Sequence, residues 1–356
     1  MTQLDRNAAA GRDTSADIEV CGPWFEDFHP GLEFDAPAVT MTEGLAGLYQ
    51  ALFGDRLRLP LDHHASRAIS GMPTPLVHPL LAVNVAIGQS TWASQRVKAN
   101  LFYRGLLLQR PVCLGDTLLT RTRVVGLRQN RAQAGRAATG IVALEMTTTN
   151  QRGETVMHFW RCPMIPCRDP AAATGHADEL DRIGRSASLE DLQQAVPTGW
   201  SLGVGSGWLG RRARDIRAGQ TFRVEARDTV TCAPELVRLS LNMAMAHTDA
   251  RLSYLGERLV YGGHTIFMAF AQLTRALPNL LTILAWESCD HTAPVLENDR
   301  LRTAFTVTDV VAVRGTAGGS LLRIHAECCA TRGTTAAEAP ETEIKVLDWI
   351  FWAWSV

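Results

Sequence analysis

Toward the C-terminus of this chain, apolar and polar positions alternate. Leu322, Ile324, Ala326 and Cys328 fall on one side of an extended segment, with Arg323, His325 and Glu327 on the other. Phe305 and Val307 alternate with Thr306 and Thr308 in the same way. A period of two with one polar side predicts antiparallel strands, each with one covered face. Elsewhere the period becomes helical. Ile266, Phe267, Phe270, Leu273 and Leu277 share one broad face, which predicts a buried helix over about 264–277. A second buried helix is predicted over about Pro79–Trp92, where Pro79 suits the first turn because its missing N–H costs nothing there.

The two helices lie in two similar halves. Gly31-Leu32-Glu33-Phe34 after Asp27 is echoed by Gly219-Gln220-Thr221-Phe222 after Asp215. Pro75-Leu76-Val77-His78 is echoed by Arg258-Leu259-Val260-Tyr261, and Pro111-Val112 with Asp116 by Pro294-Val295 with Asp299. The last two echoes share one offset, 183 positions. Arg152-Gly153 corresponds to Arg332-Gly333. Retained order and spacing point to duplication of one fold, and a repeat this long is a domain, not a solenoid unit. The organisation expected is a disordered tail over 1–20, a domain over 21–165, a mobile surface linker over 166–199 and a domain over 200–356. Each domain is expected to be α+β, an antiparallel sheet wrapped around one central helix. The two are expected to join edge to edge as an internal pseudo-dimer.

Composition narrows the function. At 356 residues each half can bury a proper core. A formal net charge of −1 gives no reason to expect nucleic acid or an anionic membrane surface as a partner. No apolar run of about 18 residues predicts a membrane span, and the first twenty residues lack the apolar segment of a secretory signal. The eight cysteines are scattered, with no C-x-x-C pair and no histidines at zinc spacing. Reduced thiols in a cytoplasmic protein, and no metal site, are expected. Neither a G-x-G-x-x-G after a strand nor a P-loop occurs, so no nucleotide cofactor is expected.

The candidate chemistry gathers in one stretch. His247-Thr248-Asp249 lies in a half-polar loop, and Tyr261-Gly262-Gly263-His264 follows at the start of the predicted helix. Two glycines at a helix start leave backbone N–H groups open to close approach by a ligand. Pro79 denies the first half the matching donor, which places chemistry in the second half with His247 as the base. Asp55 and His78 are the polar candidates of the first half. Asp55 reads equally as a turn or cap residue, and His78 as a satisfied buried histidine.

On these residues the chain resembles the MaoC-like, R-specific enoyl-CoA hydratase superfamily in its double-hotdog form, and within it the mesaconyl-CoA hydratase branch. The resemblance spans about residues 24–345. The hydratase motif of that family, G-D-x-N-P-x-H-x-D followed by P-I-x-H-G-M, is present in fragments. Gly54-Asp55 matches G-D, but Leu57 holds the Asn position and the His position falls near Leu61. Pro75-Leu76-Val77-His78 matches P-I-x-H, with Pro79 in place of Gly. His247-Thr248-Asp249 matches H-x-D, with Asn242 where the catalytic Asp belongs and Ala244 at the Asn position. Leu259-Val260-Tyr261-Gly262 matches I-x-H-G with Tyr for His.

The resemblance implies a lyase that adds or removes water across the C2–C3 bond of an acyl-CoA thioester, in the manner of fatty acid metabolism. It implies His247, Asn242 and Asp249 as catalytic residues, and Tyr261, Gly262, Gly263, His264, Asp55 and His78 as substrate contacts. Coenzyme A arrives as part of the substrate, with no separate cofactor. The protein would be a monomeric pseudo-dimer or a homodimer. Two other readings stay open: a non-catalytic acyl-CoA-binding protein with a degenerate site, which Asn242, Leu61 and Pro79 favour, and a hotdog thioesterase.

Overall fold

The computed structural model describes residues 20–315, 318–332 and 342–356. The tail expected over 1–20 lies, up to residue 19, outside the described residues. The first half contains β1 (Glu33–Phe34), β2 (Val39–Thr40), α1 (Glu43–Phe53), α2 (Arg58–Leu61), α3 (His63–Ser70), α4 (Pro79–Gln89), β3 (Ala99–Leu108), β4 (Thr117–Gln129), β5 (Thr139–Thr149) and β6 (Thr155–Pro166). After α5 (Leu189–Ala195) the second half contains β7 (Thr221–Arg223), β8 (Asp228–Thr229), α6 (Ala233–Leu239), α7 (Gly262–Ala276), β9 (Leu280–His291), β10 (Arg300–Ala312), β11 (Ser320–Arg332) and β12 (Thr342–Ser355).

The strands form one antiparallel sheet in the order β1-β4-β5-β6-β3-β9-β12-β11-β10-β7, with β2 beside β4 and β8 beside β10. The halves therefore join edge to edge, as expected of an internal pseudo-dimer that hides two sheet edges. At the seam Tyr103 lies opposite Cys289 and Leu106 opposite Trp286, and Arg104 bonds to Asp290 across it at 2.6 Å. The central helices are buried in the sheet. Every residue of α4 from Leu80 to Gln89 is buried, as a helix apolar all round requires.

Duplication is visible in the hydrogen bonds. Gln89 on α4 donates to Leu118 O, and Gln272 on α7 donates to Leu301 O, both at 2.9 Å. Asp116 accepts from Cys113 N–H and Asp299 from Leu296 N–H, again both at 2.9 Å. Each pair ties equivalent positions of the two halves.

Two expectations need adjusting. The first helix ends at Gln89 and continues to Ser94 as a tighter turn. There the Ser90 and Thr91 hydroxyls donate back to Ile87 O and Gly88 O, a local bond that competes with the regular helix ladder. The linker over 166–199 is not loose surface chain. Leu180, Leu192 and Val196 are buried, Asp178 accepts from Leu127 N–H at 2.8 Å, and Ser188 caps α5 through a reciprocal bond with Asp191. A few well-spaced apolar anchors suffice to fix a segment whose average composition is polar.

The two halves also meet at Gly88 of α4. A Cβ there would stand 1.7 Å from the backbone oxygen of Ser240, at the end of α6. Gly88→Ala is therefore expected to lower stability by about 1–3 kcal/mol through overpacking. It should also displace the loop that follows Ser240. Chemical denaturation at neutral pH checks the first expectation, and an unchanged midpoint would contradict it.

Candidate active site

The loop after α6 is built against the other half. Leu241 adopts φ 59°, which turns the chain out of the helix. Met243 N–H then bonds to Thr91 Oγ1 at 2.9 Å and Met245 N–H to Gln95 O at 2.8 Å. Asn242 is buried, and its Oδ1 accepts from Ala244 N–H at 2.9 Å, leaving its NH2 group as the free end. A tight turn over Met245–His247 follows.

His247 Nδ1 lies 2.9 Å from Leu259 O. A carbonyl can only accept, so Nδ1 carries the proton and Nε2 holds an unprotonated lone pair. Burial pulls the pKa of His247 down to about 4, against a smaller upward pull from the Leu259 carbonyl. The ring is neutral at pH 7, so Nε2 is an acceptor and not a donor.

Tyr261 precedes α7, and Gly262 takes its first helical position. The helix thus starts two residues earlier than the apolar pattern predicts, because the glycines belong to its first turn. First-turn N–H groups have no partner within their own helix, and the helix dipole concentrates partial positive charge there. A Cβ on Gly262 would meet the His291 ring at 2.4 Å, so glycine is what lets that imidazole lie against the helix start. Nε2 of His291 has no hydrogen-bond partner among the described residues, and burial together with neighbouring His247 pulls its pKa down to about 4.

These groups line a cavity of about 240 Å³ between the halves. The first half supplies Thr91, Ser94, Lys98, Tyr103 and Arg161. The second supplies Asn242, His247, Tyr254, Tyr261, Gly262 and His291.

Of the residues singled out from sequence, the structure brings Asn242, His247, Tyr261 and Gly262 together on this wall and leaves five off it. Asp249 is engaged elsewhere. Its carboxylate accepts from Arg251 N–H at 2.9 Å and from the Arg251 guanidinium at 2.8 Å, and these bonds hold its pKa below the ordinary value. Asp55 and His78 are buried and face each other, with 3.2 Å between Oδ1 and Nε2. Asp55 also accepts from Leu57 N–H, and His78 Nδ1 accepts from Leu80 N–H as the cap of α4. His264 points toward α1, its ring 5.1 Å from that of Phe53, and burial pulls its pKa down to about 4. Gly263 is covered by the Tyr261 ring.

Arg161, Tyr103, His291, Lys98 and Tyr254 were not singled out from sequence. Arg161 left a signal: it occupies the same strand phase as buried Met157 and Phe159. A charge on a covered face calls for a reason. His291, at the last position of β9, left none. None of His325, Glu327 and Asp348, whose ligand-type atoms lie within 4.8 Å of one another, lines the cavity, and Lys345 already bridges the two carboxylates.

His247, His264 and His291 are all held near 4 by burial, against an ordinary value of 6.5. Between those limits the unfolded chain binds protons that the folded chain refuses. Stability is therefore full above about pH 6.5 and declines as pH is lowered toward 4. Urea midpoints should fall between pH 6.5 and 5, with a shallower slope in His264→Phe. Constant midpoints over that range would contradict the assignment.

No protein-family model matches the chain. It is 31% identical over 348 residues to the mesaconyl-CoA hydratase of Cereibacter sphaeroides, covering 93% of this chain and 97% of that protein. It is 30% identical over 319 residues to the β-methylmalyl-CoA dehydratase of Chloroflexus aurantiacus, covering 85% and 87% respectively. Among solved structures, a conserved Mycobacterium tuberculosis protein with a double-hotdog fold superposes with a TM-score of 0.84 at 45% identity, over 95% of this chain and all of that one. A MaoC domain protein of Chloroflexus aurantiacus superposes with a TM-score of 0.79 at 26% identity, over 94% of this chain and 97% of that one. With its duplicated α+β fold and these relatives along nearly its whole length, the chain belongs to the MaoC-like double-hotdog family that includes mesaconyl-CoA hydratase and β-methylmalyl-CoA dehydratase.

Proposed function

We propose that this chain adds or removes water across the C2–C3 bond of an acyl-CoA thioester, with His247 as the proton carrier. The observation that carries the reading is the fixed tautomer of His247. Its Nδ1–H is committed to Leu259 O, so a neutral Nε2 lone pair is available in the cavity that also holds the start of α7. In the hydration direction Nε2 takes a proton from water, and the water oxygen bonds to C3. The C2–C3 π electrons move toward the thioester carbonyl, whose oxygen is stabilised by the N–H of Gly262 at the start of α7. His247 then returns the proton to C2, so one water supplies both added groups and the imidazole ends neutral.

Asn242 fits an orienting role. Its Oδ1 is held by Ala244 N–H, and its NH2 group can donate to the water oxygen but cannot take a proton from it. Coenzyme A would run out of the cavity past Lys98 and Tyr254. Both residues also line an adjoining groove that contains Arg131 and Arg136, cations suited to its phosphates. The cavity is complete within one chain and the seam strands are paired internally, which supports a monomer. No helix among the described residues is long and apolar enough to cross a membrane. Mesaconyl-CoA and β-methylmalyl-CoA, for which the two curated relatives are named, are the first substrates to test.

His247→Ala is expected to lower turnover about 10²–10⁴-fold, the usual scale for a general base. Asn242→Asp should preserve or raise it, because an Asp at this position keeps the acceptor for Ala244 N–H and adds a carboxylate beside the water. Steady-state hydration assays with both variants check this. Full activity in His247→Ala would remove the proposed base. Binding of acyl-CoA without turnover by wild type or Asn242→Asp would replace the enzymatic reading with that of a binding protein.

A further inference from the structure

Two neutral imidazoles line the cavity, and the proposed reaction uses one of them. His247 has its tautomer fixed by Leu259 O and can only accept at Nε2. The other, His291, closes β9 opposite Leu347 of β12. Its ring stands nearly perpendicular to that of Tyr103, with 80° between the planes. Nε2 of His291 is buried and bonds to no group among the described residues. A buried ring nitrogen without a partner costs free energy in the folded state, and a ligand atom that meets it removes that cost. Burial and the nearby His247 hold the ring neutral near pH 7, so it has one N–H to give.

The start of α7 locates that ligand atom. A Cβ on Gly262 would fall 2.4 Å from Nε2 of His291, 2.6 Å from Cε1 and 3.0 Å from Cδ2, so the ring presents its Nε2 edge to the helix start. Gly262 and His291 both line the cavity, and an oxygen held by the Gly262 N–H has Nε2 as its neighbour. We propose that His291 is a second catalytic residue, donating its Nε2–H to the thioester oxygen beside the Gly262 N–H. The two histidines then hold opposite tautomers, His247 with a lone pair at Nε2 and His291 with a proton there. This rests on the reading of the cavity as an acyl-CoA hydration site. A carbonyl or enolate oxygen only accepts, so its arrival selects the Nε2–H form. A neutral imidazole at a helix start suits the role, because it can polarise a carbonyl as charge develops on the oxygen. The proton stays on His291 throughout, and C2 receives the one that His247 took from water.

Isotope-edited infrared spectroscopy reads this hydrogen bond without turnover. The probe is methylsuccinyl-CoA carrying ¹³C at the thioester carbonyl, the saturated counterpart of mesaconyl-CoA, with no double bond to hydrate. Its carbonyl band should move to lower wavenumber on binding the wild type. His291→Phe keeps a ring but removes the N–H, and should reverse part of that shift. Gly262→Ala keeps the backbone N–H but drives the imidazole away, and should reverse part of it too. His291→Phe should also lower turnover of mesaconyl-CoA about 10²–10³-fold with KM little changed, the scale for one donor at a developing oxyanion. If His291→Phe does not fold, the band in Gly262→Ala decides. A wild-type band at the position of the free thioester would overturn the proposal, as would a band that neither variant moves. Lost turnover in His291→Phe with an unmoved band would assign His291 to proton transfer and overturn it as well. Full turnover by His291→Phe would overturn this proposal and leave the hydration reading intact. If the wild type neither bound methylsuccinyl-CoA nor hydrated mesaconyl-CoA, the acyl-CoA reading would fail, and this proposal with it.

Discussion

The seam between β3 and β9 runs antiparallel from Tyr103–Cys289 to Leu107–Ala285, and the rest of the site is arranged around it. It places Tyr103 beside the His291 end of β9, with 6.2 Å between the two rings. It also brings the inward face of β6, next to β3, toward the start of α7. Loop bonds from Met243 and Met245 to Thr91 and Gln95 complete the join on the helix side. A cavity with walls from both halves follows from this arrangement, and neither half alone could form it. Pairing the seam strands within one chain also covers two edges that would otherwise be open to another chain.

Duplication gave the halves the same scaffold, and a few substitutions made them chemically unlike. Position for position, His78-Pro79 in the first half corresponds to Tyr261-Gly262 in the second. In the first half the imidazole caps its own helix, Pro79 removes an N–H, and Asp55 lies against the imidazole in a buried pair. In the second half Gly262 keeps an N–H at the cavity wall, and a different histidine, His247, comes in from the preceding loop. Under the proposed function the first half serves as wall and the second carries the reacting groups. The histidines held neutral by desolvation are expected to make the fold acid-sensitive.

Much of the fold was legible because strand and helix periods differ and because the repeat keeps its spacing. Leu322 to Cys328 and Ile266 to Leu277 announce sheet and buried helix without help from any relative. The glycines at 262 and 263, read against Pro79, pointed to the second half, where Gly262 lines the cavity and Gly263 does not. Side-chain direction was not legible. Asp249 stands two residues from His247 in sequence, yet it turns away to Arg251. His264 stands two residues from Gly262, yet it faces Phe53 because α7 has already begun. His291 and Tyr103 reach the cavity only through the pairing of β3 with β9, a contact between segments nearly two hundred residues apart that local pattern does not encode.

Isotope tracing tests the central claim most directly. Wild-type protein would be incubated with mesaconyl-CoA in water carrying ²H and ¹⁸O, and the product analysed by mass spectrometry. The account predicts one ¹⁸O at C3 and one deuterium at C2 of an intact thioester. Release of free acid carrying ¹⁸O in its carboxylate, with C2 and C3 unlabelled, would show thioester hydrolysis instead and contradict it.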